Sequence, residues 1–345
     1  MQPSHGARLD FRPMTGVDAV ILAGAVGCES QWTRGIPRPL LPLPGTTLVE
    51  ALLSRITQSL DGQYAVCANG RTDTMARHLD PHVAVPIRYY EDRLPRGTAG
   101  CLKDCASGGN AETIFVAGGS VWLEDDPAWM VKQHLDRRNA LTVFCRSDVA
   151  SARLGNRRFL RPAGLYCCDR AVLDYIKSAG YQDLKEQTVP ALRQAGLRVG
   201  VVALQNETCE VSDWAGYLHV ISRCLTTGLL GTRGFHSPAP GIWTGEGVQI
   251  GKNARIAGPA ILGHRCRIAD GAVLIGPVVL GDDSSVGRDA WAIRMIASGT
   301  VHVPSGARIK DQLVLPSDPC GADEPLAGRL RGTQTVSDAF GSVTV

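Results

Sequence analysis

A chain of 345 residues, 44% apolar and 20% charged, exceeds one small core and reads as two domains of an ordinary globular protein, which excludes general disorder. Its 36 basic and 33 acidic side chains give a formal charge of +3 without a long Lys/Arg run, so no nucleic-acid partner is expected. The apolar runs are strand-sized and the opening MQPSHGARLDFRPMTG lacks a secretory core, so no membrane partner is expected and the cytoplasm is the expected compartment.

Residues 1–16 read as a leader. VDAVILAGA, from Val17, is a continuous apolar run ending in small residues, the pattern of a buried parallel strand that opens into a loop. That loop runs to about Leu43. GTTLVEALLSRITQSL then predicts an amphipathic helix, with Leu48, Leu52, Ile56 and Leu60 on one face and Thr47 with Glu50 as a capping box. Further strands are predicted in YAVCAN, IRYYE, TIFVAGG, ALTVFCR and VGVVAL, with helices at GTAGCLKDCA, DPAWMVKQHLDRR, RAVLDYIKS and LKEQTVPALRQAG. Strand, loop and helix in this alternation predict a doubly wound α/β domain over 17–225. Eleven cysteines, an odd number with no C-x-x-C pair, sit mostly in apolar runs and read as reduced core residues, Cys101 and Cys105 among them.

Residues 226–247, rich in Gly, Pro and Thr, read as a linker. Beyond them Ile250, Ile256, Leu262, Ile268, Leu274, Leu280 and Val286 recur at steps of six, with Gly or Ala directly after six of the seven. After an irregular stretch around WAIRMIASGT, Val303, Ile309 and Leu315 resume the step in a shifted phase. One inward aliphatic residue per short strand fits a three-sided coil, so 248–316 is expected to form a parallel β-helix. The small residue after each aliphatic is expected to ease the chain through a tight corner. Residues 317–345 read as a flexible tail.

The order of these parts resembles the sugar-1-phosphate nucleotidyltransferases, or NDP-sugar pyrophosphorylases, which carry a hexapeptide-repeat β-helix after a catalytic domain. AVILAGAVG resembles their opening strand and glycine loop, IPRPLLPLPGTTLVEALL their PKPLLP segment, EDRLPRGTAGCLKDC their LGTAG element, TIFVAGGSVW the strand carrying NGD, RPAGLYCCDRAVL the NAGIY strand, and CEVSDWAGYL the DIGTPEDYL ending. The resemblance covers Val17 to Pro316. It implies a Rossmann-like nucleotidyltransferase domain followed by a left-handed β-helix, and a reaction in which a sugar-phosphate oxygen attacks the α-phosphate of an NTP and releases pyrophosphate. Such chemistry needs cations and backbone amides around the developing charge, and a magnesium ion held by carboxylates.

The charged positions depart from that pattern. Gly24 and Gly27 keep the glycine loop, but Glu29 stands at the position of the arginine that grips triphosphate, where a carboxylate repels phosphate. Arg34 and Arg38 are the candidate catalytic cations, Arg38 at the place of the family lysine. Ser120 replaces the magnesium-binding aspartate of NGD, with Glu124, Asp125 and Asp126 just downstream, and Glu210 aligns with the second aspartate as the candidate metal ligand. The sugar-phosphate lysine of the EKP hairpin has no counterpart. Gly97, Thr98, Ala99 and Gly100, with Ala163 and Gly164, are candidate nucleotide or sugar contacts, read equally well as tight turns. Lys103 reads as a solvated helix residue.

Three functions are therefore weighed. The leading one is a nucleotidyltransferase-like protein of impaired activity, a nucleotide-sugar-sensing or scaffold subunit. The second is an active NTP:sugar-1-phosphate nucleotidyltransferase with a rearranged site, which would need Mg2+; otherwise no cofactor is expected. The third is a hexapeptide-repeat acyltransferase using His264 or His302. The expected partners are a nucleotide or nucleotide sugar and either a second copy of the chain or an active homologous subunit.

Overall fold

The computed structural model describes residues 13–24, 31–33, 35–91, 96–147, 160–227 and 234–315. The chain divides into two compact units, one made of 1–29, 35–41 and 47–216, the other of 30–34, 42–46 and 217–345.

The first unit is built on a seven-stranded sheet. Its strands are β1 (Val17–Leu22), β2 (Tyr64–Cys67), β3 (Ile87–Tyr90), β4 (Thr113–Gly118), β5 (Leu141–Ser147), β6 (Leu160–Asp169) and β7 (Val199–Ala203). They lie in the order β3-β2-β1-β4-β6-β5-β7, all parallel except β6, which runs antiparallel to both β4 and β5. Alternation along β1 sends Ala19 and Ile21 to one face and Val20 to the other. On the first face pack α1 (Leu48–Ser59), α2 (Thr72–Leu79) and α4 (Pro127–Asp136), through Leu52, Leu53, Met75 and Met130. On the other pack α3 (Gly97–Ala106) and α5 (Val189–Gln194), through Leu102, Cys105 and Leu192.

The capping box of α1 forms as expected, the Glu50 carboxylate accepting from the Thr47 backbone N–H at 2.6 Å. Two predicted helices change character: RAVLDYIKS gives only a 3-10 segment at Arg170–Tyr175, and LKEQTVPALRQAG divides into a π-helical turn at Leu184–Thr188 and α5. The nine described cysteines are all buried free thiols. No described helix is long and apolar enough to cross a membrane.

The second unit holds most of α6 (Trp214–Thr227) and the repeat strands. Trp32 packs its ring 5.9 Å from that of Tyr217, whose hydroxyl donates to the Pro42 carbonyl, and Trp243 Nε1 donates to the Leu225 carbonyl at 2.8 Å. Residues 236–244, inside the stretch expected as linker, already form strands, and Ile242–Thr244 pairs in parallel with Ala260–Leu262. Parallel pairing then steps by eighteen residues, Arg267 with Ser285, until the last coil, where Ser285 pairs with His302 and Trp291 with Arg308. That coil is one residue shorter, which is the cause of the shifted phase. Leu262, Ile268, Leu274, Leu280 and Val286 are buried as the hexads predict, whereas Ile250, on the outermost rung of its sheet, stays 49% exposed.

The small residues after the aliphatics are not corner residues. A Cβ at Gly251 or Gly263 would lie 2.5 Å from the backbone nitrogen of the next coil, so stacking demands them. The left-handed corner falls two positions later, at Asn253, Arg265, Asp283 and Asp289. Between these positions a side chain bonds back to the preceding coil: Asp270 accepts from the Lys252 N–H and Asp282 from the His264 N–H, both at 2.8 Å.

Candidate functional site

Strand order reverses at β1, with β2 and β3 on one side and β4 on the other, the kind of switch point at whose strand carboxyl ends open α/β sheets place a ligand crevice. Three turns line it. Ala23 and Gly24 follow β1, Asn69 and Gly70 follow β2, and Gly119 and Ser120 follow β4. Gly119 donates its N–H to the Leu22 carbonyl at 2.9 Å, and a Cβ there would sit 2.8 Å from the Ala23 Cα, so only glycine lets these turns approach so closely.

The fold brings Ser120, Gly164 and Glu210 together, although 90 residues separate the first from the last. The Ser120 carbonyl accepts from the Val211 N–H at 2.8 Å, and the next residue, Val121, pairs with Glu210. Phe144 faces Leu165 whereas Cys145 faces Pro162, so Ala163 and Gly164 bulge out of register. Gly164 takes a φ of +75°, and a Cβ on it would lie 3.6 Å from Glu210 Oε2. Ala163 instead points into the core, which removes it from the expected contacts. Neither the Ser120 hydroxyl nor the Glu210 carboxylate makes a hydrogen bond among the described residues. Burial, then Asp183 and Glu210, push the Tyr166 hydroxyl well above its ordinary range, so it stays protonated beside them.

Arg38 opens a short helical turn, Arg38–Leu40, and its Nε is buried without a hydrogen-bond partner. Gly27, Glu29 and Arg34 lie outside the described residues. Gly24 abuts Asn69, whose Nδ2 donates to the Gly24 carbonyl at 3.2 Å.

The GTAG element begins α3, and its features are accounted for by one neighbouring segment. Gly97 has a φ of +74° and no room for a Cβ against the Gln182 carbonyl, the Ala99 N–H donates to that carbonyl at 3.0 Å, and the Thr98 hydroxyl donates to Asp183 at 2.9 Å. Gly100 is buried against Arg96. These contacts favour the tight-turn reading. Lys103 is not simply solvated, since its Nζ donates to the Ile176 carbonyl at 2.6 Å.

The acidic run after Ser120 is committed to the fold. Asp125 is buried and accepts from the Gln205 N–H at 2.8 Å and the Thr208 hydroxyl at 2.7 Å, Asp126 caps α4, and Glu124 accepts from Trp122 Nε1 at 2.9 Å. Among the described residues no three His, Cys, Asp or Glu side chains are grouped to hold a metal ion.

Both histidines considered for acyl transfer have local roles. His264 Nδ1 accepts from the Glu246 N–H at 3.0 Å, the same link between coils that Asp270 and Asp282 make, and His302 Nδ1 is 2.8 Å from the Ser285 hydroxyl. Sequence reasoning missed Asn69 and Asp183. The dipeptide Asn69–Gly70, at the end of the predicted strand YAVCAN, was a signal for the first, while nothing local marks the second.

Residues 18–155 match the sequence model of the nucleotidyl transferase family, and 241–276 that of the bacterial transferase hexapeptide. A UTP–glucose-1-phosphate uridylyltransferase of Synechocystis sp. is 25% identical over 338 residues, covering 86% of each chain. A mannose-1-phosphate guanylyltransferase of Mycobacterium tuberculosis is 23% identical over 330 residues, covering 85% of this chain and 83% of its own. In fold, the crystal structure of HddC from Yersinia pseudotuberculosis complexed with GMP-PN aligns with a TM-score of 0.51 at 16% identity, over 60% of this chain and 98% of that one.

Proposed function

Because the chain joins a nucleotidyl transferase domain to hexapeptide repeats, we propose that its crevice binds a nucleotide or nucleotide sugar while transfer is impaired, so that it serves as a sensing or scaffold subunit. The observation that carries this is the closeness of Ser120 to Glu210, through the pairing of Val121 with Glu210 and the bond from the Val211 N–H to the Ser120 carbonyl: of the two positions where the resemblance implies magnesium ligands, only one is a carboxylate. Magnesium, a hard cation that seeks charged oxygen, does not fit these described donors, and no catalytic step is drawn through it. The neutral parts of the crevice remain, with close glycine turns at Gly24, Gly119 and Gly164. A nucleotide-bound relative in fold supports a nucleotide as the ligand class.

The second reading, an active transferase with a rearranged site, draws support from Arg38, whose buried and unpartnered Nε–H would donate to a ligand oxygen. For assembly we favour the β-helix, where Ile250 keeps apolar surface exposed on an outer rung. Free, buried thiols support a reducing cytoplasm.

Calorimetric titration with each common NTP and with UDP-glucose and GDP-mannose, with and without magnesium, tests the proposal. Magnesium-independent binding of a nucleotide sugar, without pyrophosphate release from NTP and sugar 1-phosphate, is expected. Magnesium-dependent NTP binding with pyrophosphate release would establish the active transferase instead.

A further inference from the structure

Resting on the reading of the crevice as a nucleotide site, we propose that Asn69 is a positioning residue for it, holding the chain where it leaves β1 through the Gly24 carbonyl.

Asn69 lies two residues beyond the end of β2 and takes a left-handed φ of 22°, followed by Gly70 at 73°. This conformation turns the side chain across the top of the sheet toward β1, away from its own backbone. Its amide is oriented by two opposite contacts. The Cys67 thiol donates to Oδ1 at 3.1 Å, and Nδ2 donates to the Gly24 carbonyl at 3.2 Å. The Cys67 hydrogen bond with Cys101 lowers its pKa, but that with Cys105 and burial outweigh it and push the thiol up to about 12, so Cys67 stays a donor and fixes which end of the amide faces Gly24. The turn beneath is anchored in turn: the Glu91 carboxylate accepts from both the Gly70 N–H and the Thr72 hydroxyl.

The fit is reciprocal. A Cβ on residue 24 would meet the Asn69 Cβ and Cγ at 2.6 Å, so Gly24 is the residue that lets Asn69 come this close. A bare backbone carbonyl at the mouth of the crevice would present negative charge to an arriving phosphate. The Asn69 amide binds that oxygen and so removes the repulsion. This role requires a side chain with a donor at one end and an acceptor at the other, which Asn supplies and Asp does not.

Titration of UDP-glucose and GDP-mannose into wild type, Asn69→Asp, Cys67→Ala and Cys67→Ser, with melting temperatures measured alongside, tests the assignment. Asn69→Asp keeps shape but sets a carboxylate oxygen against the Gly24 carbonyl, and is expected to weaken binding about tenfold or more while the protein remains folded. Cys67→Ala frees the amide to turn over and is expected to weaken binding a few-fold, and Cys67→Ser, which keeps a donor, to restore it. Failure of the wild type to bind either sugar nucleotide overturns the reading of the crevice and this assignment with it. Wild-type binding that Asn69→Asp leaves unchanged overturns the positioning role alone. Should Asn69→Asp not fold, equal affinities for Cys67→Ala and Cys67→Ser overturn it as well.

Discussion

The two ends of the central sheet treat polar side chains in opposite ways. At the amino end Asp18 is buried and accepts from Arg170 at 2.6 Å, the Gln63 N–H at 3.0 Å and the Ala111 N–H at 3.2 Å. There too His134 is buried between the Thr142 hydroxyl at 2.9 Å and Asp169 at 3.0 Å, while Asn139 donates to the same hydroxyl and keeps its own Oδ1 unpartnered. At the carboxyl end Ser120 and Glu210 make no side-chain hydrogen bond among the described residues, and Arg38 keeps a buried nitrogen unpartnered. Both ends were built from the same stock of residue types. What sets Ser120 and Glu210 apart from Asp18 and His134 is whether the side chain is bonded by the protein itself.

The comparison breaks most visibly at Asp18. Arg170→Met would leave its carboxylate buried without a cation, and chemical denaturation should register a loss of about 3 kcal/mol. A change below about 1 kcal/mol would mean that the backbone donors alone satisfy Asp18. His134 gives the next largest effect. Burial lowers its pKa below 6.5, outweighing the raising influence of Asp169, so the unfolded chain takes up the proton more readily than the folded one. Stability should therefore be fully present above about pH 6.5 and fall as the pH drops toward the folded value, by at most about 1.4 kcal/mol per unit. Denaturation midpoints between about pH 7 and pH 5 should show this slope in the wild type and a shallower one in His134→Gln.

The carboxyl end should respond in the opposite sense. Glu210→Gln and Ser120→Ala together should shift stability by no more than about 0.5 kcal/mol, since neither side chain is bonded within the described fold. A larger loss would show that the two residues hold the structure and would weaken the contrast. Ser120→Asp is expected to place a second carboxylate beside Glu210 and yet yield no turnover in a pyrophosphate-release assay, because Glu29 still stands where the resemblance calls for an arginine. Turnover in that single variant would show that the arginine position does not limit the reaction.

Much of this was legible in the sequence, for reasons that differ between the units. The repeat announced itself because each hexad sends one aliphatic residue inward, and its phase slip recorded a coil shortened by one residue. The capping box at Thr47 and Glu50 was equally local. The helix α2 was missed because RTDTMARHL is short and buries only Met75 and Leu79. The site was legible as motifs but not as roles. Whether Thr98 faces a ligand or the protein depends on Asp183, 85 residues away, and the acids after Ser120 look available until Gln205 and Thr208 fold over them. Periodicity reports what is repeated locally, whereas saturation of a polar group is decided by partners that the sequence places far apart.

The side-chain links between coils also give the β-helix a polarity. Backbone N–H groups at Glu246, Lys252, His264 and Arg288 each donate to a side chain of the following coil, at His264, Asp270, Asp282 and Ser305. The backbone links run both ways, since the Arg265 and Asp283 N–H groups donate to the Glu246 and His264 carbonyls of the preceding coil at 2.8 Å, so trimming the stack from either end uncovers amide donors that had been satisfied. The column therefore needs a cover at both of its ends, and only its side-chain links have a direction.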